Sequence, residues 1–97
     1  MTPEEAIYKT LVNYIKVHGK RIISISSVFN QKEISIEIRS LFRYYEPTPE
    51  YPKLENAINN CNPDTLLKKY SIKLAERNNQ KVLIVDINLL KNIVKNN

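Results

Sequence analysis

Gly19-Lys20-Arg21-Ile22-Ile23-Ser24-Ile25-Ser26-Ser27-Val28-Phe29-Asn30-Gln31-Lys32-Glu33-Ile34-Ser35-Ile36-Glu37-Ile38-Arg39 is the stretch whose reading decides the fold. Ile23 and Ile25 alternate with Ser24 and Ser26, and Ile34, Ile36 and Ile38 alternate with Glu33, Ser35, Glu37 and Arg39. A period of two puts successive side chains on opposite faces of a strand, so the pattern predicts a β-hairpin turning at Asn30-Gln31-Lys32. On this reading Gly19, the only glycine in the chain, takes the left-handed position that closes a preceding helix.

That helix begins at Thr2-Pro3-Glu4-Glu5. The Thr hydroxyl can accept an orphan backbone N–H, and Pro is suited to the first helical position, where its missing N–H costs nothing. Ile7, Leu11, Tyr14, Ile15 and His18 follow at helical spacing and give one apolar face. Toward the C-terminus, residues 70–77 and 81–86 form a second predicted hairpin, turning at Asn78-Asn79-Gln80. Its last strand, Val82-Leu83-Ile84-Val85, lacks polar alternation and reads as a central strand buried on both faces.

The two predicted hairpins resemble each other when offset, with Ile23 over Ile72, Asn30-Gln31-Lys32 over Asn79-Gln80-Lys81, and Ile36 over Val85. Thr2-Pro3-Glu4 likewise recurs as Thr48-Pro49-Glu50. Pro47, Pro49 and Pro52 mark an ordered turn, and Leu54, Ala57, Ile58 and Cys61 a short second helix. Asn62-Pro63-Asp64 restarts or caps a turn, and Leu89, Leu90, Ile93 and Val94 give a last helix capped by Asp86 or Asn88. The expected fold is one α+β domain over residues 1–97, ordered α-β-β-α-β-β-α, with an antiparallel sheet of about four strands covered on one face by helices.

Composition narrows the function classes. The 97 residues include Lys+Arg 15 against Asp+Glu 10, a net charge of +5, which favours an anionic partner such as nucleic acid. One cysteine and one histidine cannot supply the four ligands of a structural zinc site, so no metal and no cofactor is expected. A lone Cys61 forms no intrachain disulfide, and the N-terminus lacks the basic flank and apolar core of a signal peptide, so a reducing, cytoplasmic setting is expected. The longest aliphatic run, residues 82–85, is far too short to span a bilayer. No Gly-rich loop cradles phosphate, and Ser24, Ser26 and Ser27 have no base nearby in sequence, so no enzyme activity is expected.

The order of elements, together with Leu11-Val12-Asn13-Tyr14-Ile15-Lys16-Val17-His18-Gly19, resembles the LAGLIDADG homing endonuclease fold. Leu11, Ile15 and Gly19 fit that family's motif, while its metal-binding acid falls on His18 and the acid before it on Lys16. An imidazole beside a lysine does not replace a carboxylate for a hard cation, so the resemblance implies DNA binding without cleavage. It also implies that the outer sheet face meets duplex DNA and that a homodimer forms through helix one. The pterin carbinolamine dehydratases share this order of elements, but their activity depends on a histidine-rich site and this chain has only His18.

The outer face read from the alternation carries Ser24, Ser26, Ser35, Glu37, Arg39, Ser71, Lys73 and Arg77, with Lys20, Arg21, Lys32 and Lys81 at its ends and tips. Lys and Arg neutralise phosphates, whereas Asn79 and Gln80 can reach base edges. The expected DNA-binding residues are therefore Lys20, Arg21, Lys32, Arg39, Lys73, Arg77, Asn79, Gln80 and Lys81, serving a regulatory or replication-linked role. A second parse makes residues 30–45 helical, since Ile34, Ile38, Leu41, Phe42 and Tyr45 also fall at helical spacing. That arrangement resembles a winged helix domain, with residues 30–45 as recognition helix, Arg39, Arg43 and Tyr44 as groove readers, and the second hairpin as wing. A protein-protein adaptor, in which the charge serves solubility alone, is the third reading.

Overall fold

The computed structural model describes residues 1–96. Helix α1 spans Pro3–Val28, strand β1 Glu33–Glu37, a 3₁₀ helix Ile38–Tyr44, helix α2 Leu54–Asn60, helix α3 Pro63–Tyr70, strand β2 Ile72–Arg77, strand β3 Gln80–Asp86 and helix α4 Ile87–Asn96. The α+β class and the antiparallel sheet are as expected, but among the described residues the sheet has three strands, in the order β1-β3-β2.

The missing strand is the second half of α1. Helix α1 starts as the sequence predicts, with the Glu5 N–H donating to Thr2 Oγ1 at 3.1 Å. It does not stop at Gly19. The Ile/Ser alternation is compatible with a helix because the serine hydroxyls turn back onto carbonyls one turn earlier. Ser24 donates to the Lys20 carbonyl at 3.0 Å, Ser26 to that of Ile22 at 2.7 Å and Ser27 to that of Ile23 at 2.9 Å. Gly19 sits mid-helix because α4 crosses there: a Cβ on it would lie 2.5 Å from Val94 Cγ2 and 2.8 Å from Ile15 Cγ2. The left-handed residue that ends the helix is Asn30, with φ 54. The Gln31 N–H returns to the Ser26 carbonyl at 3.0 Å, satisfying one of the last free carbonyls. The offset similarity of the two hairpins therefore has no structural counterpart, since its first copy is helix.

The second hairpin is present, with Asn78 and Asn79 at φ 52 and 62 in a two-residue turn whose twist suits antiparallel strands. β3 is central as predicted, pairing Ile34 with Val85 and Ile36 with Leu83 on one side, and Ile72 with Val85 and Leu74 with Leu83 on the other. These rows form the inner face and join Ile7, Leu11, Ile15, Leu41, Leu66, Leu90 and Ile93 in one core. Val82 and Ile84 point to the outer face. Both are buried but stand outside that core.

Candidate nucleic-acid interface

Residues 54–81 run through α2, α3 and the β2–β3 turn and carry many exposed polar side chains. The Asn56 side chain accepts from the Lys53 N–H at 2.9 Å at the start of α2. Cys61 and Asn62 then join α2 to α3, and Asn62 Oδ1 accepts from the Asp64 N–H at 2.9 Å and the Thr65 N–H at 3.3 Å. From α1, the buried Glu4 carboxylate accepts the Asn62 N–H at 3.3 Å, fixing the α2–α3 corner against the first turn of the chain. Burial pushes the Cys61 thiol up from its ordinary value, and the Glu4 carboxylate adds to the shift.

Leu66 anchors α3 in the core and Tyr70 stacks on Tyr8 with ring centroids 4.8 Å apart, so the opposite side of α3 is free. Asp64, Leu67 and Lys68 are exposed there, and Leu67 retains 49% of its surface. Lys69 lies 5.6 Å over the Tyr70 ring. The backbone reverses at Ser71, φ 59, and enters β2, which carries the chain to the exposed tip Arg77-Asn78-Asn79-Gln80. Lys81 Nζ donates to Asn59 Oδ1 at 3.1 Å, tying the hairpin to the end of α2.

The expected DNA-binding residues do not share one face. Lys73, Arg77 and Gln80 stand on the outer sheet face, accompanied by Glu33, Glu37 and Asp86. Lys81 pairs with Glu76 on the other side of the hairpin. Arg39 lies in the 3₁₀ helix and its guanidinium pairs with Glu37. Lys20 and Arg21 are exposed on α1, and Lys32 sits in the turn after it. Ser24 and Ser26 belong to that same helix, because the strand they were assigned to does not form.

Charge is unevenly spread. Residues 6–32 hold Lys9, Lys16, Lys20, Arg21 and Lys32 with no carboxylate, and α4 adds Lys91 and Lys95, so these segments alone exceed the net +5. Residues 33–62 are net acidic, with Glu33, Glu37, Glu46, Glu50 and Glu55 against Arg39, Arg43 and Lys53. Lys9 is spoken for by Glu46 at 2.9 Å, and that ion pair holds the exposed Glu46 carboxyl below its ordinary value.

The tyrosines near the proline turn pack rather than stand free. His18 Nε2 lies 2.6 Å from the Tyr44 hydroxyl, Tyr14 meets the Tyr44 ring edge-on at 5.4 Å, and the Tyr45 hydroxyl donates to the Tyr51 carbonyl. Burial, with Tyr44 beside it, raises the Tyr14 phenol above its ordinary value. Among the described residues no cluster of three or more His, Cys, Asp or Glu could hold a metal, and no helix is long and apolar enough to cross a membrane.

Sequence reasoning missed α3: Asn62-Pro63-Asp64 was read as a turn before the strand over 70–77, and Lys68 and Lys69 were not among the expected contacts. No protein-family model matches the chain, and comparison with curated proteins and with solved structures gives no significant match.

Proposed function

We propose that this chain is a winged helix domain that binds duplex DNA, with α3 as the groove-entering helix and β2–β3 as the wing. One observation carries the reading: a helix pair joined by two residues leads straight into a hairpin whose second strand also pairs with a strand lying before the pair. This succession supports a winged helix over the homing endonuclease resemblance, whose first hairpin is helical here. On this reading the recognition helix is residues 63–70, because residues 30–45 contain β1 and the 3₁₀ helix.

The chemistry follows from the side chains placed. The eight residues of α3 make a helix about 12 Å long, short enough to lie within a major groove about 12 Å wide. Lys68 can meet guanine acceptors or phosphate, and Leu67 can pack on a thymine methyl. Asn79 and Gln80 reach outward at the wing tip beside Arg77, and Lys73 serves the phosphate backbone.

The test is fluorescence anisotropy with a labelled random duplex at about 50 and 200 mM salt, where several phosphate contacts produce a large affinity difference. Binding that collapses with salt, and that weakens about tenfold in Lys68→Ala/Arg77→Ala, is the expected result. An absence of binding at low salt overturns it and makes the adaptor reading the leading one.

A further inference from the structure

Strand β1 is paired on one side only. The sheet order β1-β3-β2 puts it at an edge, and its register against β3 runs unbroken from Glu33 to Glu37, with no proline and no bulge to blunt the far side. The Ile87 N–H donates to the Lys32 carbonyl at 2.9 Å, which fixes the hydrogen-bonded rungs at Lys32, Ile34 and Ile36. The backbone groups of Glu33, Ser35 and Glu37 therefore point away from β3. Among the described residues, no protein group meets the N–H of any of the three.

The side chains of the same three residues lie on the outer sheet face. Glu33 stands opposite Asp86 and carries no ion pair among the described residues, and Glu37, four residues on, pairs only with Arg39. In a chain of net charge +5 this edge is acidic at both ends.

From this edge we infer a docking site for a basic, extended segment of another protein, which adds to the sheet as a fourth strand. Backbone bonding to the free groups brings the segment's side chains opposite Glu33, Ser35 and Glu37, so its two cations lie four residues apart. The matching pattern is Lys or Arg, apolar, small polar, apolar, Lys or Arg, with the apolar pair on the inner side beside Ile34 and Ile36. Glu33-Ile34-Ser35-Ile36-Glu37 reads the same in both directions, so the charges accept the segment in either direction.

A second copy of this chain does not suit the edge. Two β1 strands paired about Ser35 set Glu33 of each against Glu37 of the other, and like charges directly opposite are destabilising. A copy offering β2 head to tail would repeat every three strands, about 14 Å, which is less than the smallest extent of the molecule, 24 Å. Nucleic acid has no such backbone ladder and is repelled by the carboxylates, so this inference is independent of the DNA reading. The wing strand β2 lies beyond β3 and stays free when the edge is occupied.

The experiment is an amide NMR titration of the full chain with the blocked peptide acetyl-Lys-Val-Thr-Val-Lys-amide, to about 5 mM at low salt. In the free chain the amides of Glu33, Ser35 and Glu37 exchange with solvent quickly and those of Ile34 and Ile36 slowly. The peptide produces saturable shifts centred on residues 33–37 and slows exchange of the three edge amides. Glu33→Gln/Glu37→Gln, at the strand's outer face, weakens binding about three- to tenfold, and the peptide with Glu in place of Lys does not bind. Absence of saturable shifts, shifts centred elsewhere, or equal binding of the acidic peptide overturns the site. Slow exchange of the edge amides in the free chain also overturns it, and slowing that grows with chain concentration identifies a second copy as the occupant instead.

Discussion

Replacing Gly19 by Ala tests the central feature of the fold. On helix propensity alone the change adds about 1 kcal/mol of stability in a helix interior. The α1–α4 crossing reverses that sign, because the new methyl would meet Val94 Cγ2 at 2.5 Å. Contact at ordinary van der Waals distance requires α4 or the Val94 side chain to move by roughly 1 Å, and Val94, being β-branched, has little rotamer freedom with which to yield. Overpacking of this kind costs about 1–3 kcal/mol, so the net effect is a loss of about 0–2 kcal/mol, or a melting temperature lower by up to ~16 °C in a domain of this size. Val94→Ala removes the nearer of the two clashes and leaves Ile15 Cγ2 at 2.8 Å, so in that background Gly19→Ala should cost about 1 kcal/mol less than in the wild type. Urea denaturation of the four members of this double-mutant cycle, followed by circular dichroism, measures the coupling. Stabilisation by Gly19→Ala in the wild-type background refutes the close crossing. Equal destabilisation with and without Val94 removes the α1–α4 crossing as the cause and leaves the contact with Ile15 within α1.

Two further outcomes follow from titrating groups. The Glu46 carboxyl is held below its ordinary 4.5 by Lys9, so its stabilising contribution is present above that pH and is lost as the pH falls through the depressed value. Lys9→Ala returns Glu46 to the ordinary range in a carboxylate NMR titration, and an unmoved midpoint contradicts the ion pair. Cys61, raised above its ordinary 9.0 by burial and by Glu4, should react slowly with a thiol reagent in the folded protein and at the ordinary rate in denaturant. Glu4→Gln should accelerate the folded-state reaction about two- to fivefold at fixed pH, and an unchanged rate removes Glu4 as a cause.

Several local capping and turn signals in the sequence were accurate, although Gly19 and the turn at Asn30-Gln31-Lys32 were not. Thr2 caps the helix its position announces, Asn62 caps a helix where only a turn was expected, the Asn78-Asn79 pair makes the hairpin turn, and the Asn88 N–H donates to Asp86 at the start of α4. The unalternating run 82–85 was correctly read as central. The failure at Ile23 and Ile25 has one cause: period two is a sound strand signal only when the intervening polar residues need solvent, and serine does not. Gly19 compounded it, because a glycine at a helix end and one at a helix crossing look the same until the crossing helix is known. The candidate interface was half legible. The hairpin residues Arg77, Asn79 and Gln80 were named, but the grouping of Lys20, Arg21 and Lys32 with them followed from the misread hairpin.

The position of β3 in the sheet bears on how the chain is made. β1 leaves the ribosome more than forty residues before the strand that supplies its hydrogen-bonded neighbour, because Glu33 pairs with Asp86. At about 5–20 residues per second, that wait lasts a few seconds. During it, Ile34 and Ile36 belong to an unpaired segment, and the C-terminal half of α1 has no α4 beside it. Assembly is therefore deferred to a late step that docks both ends of the chain together. A nascent chain arrested before residue 80 should resemble a loose helical intermediate that chaperones can engage, rather than a smaller version of the finished domain.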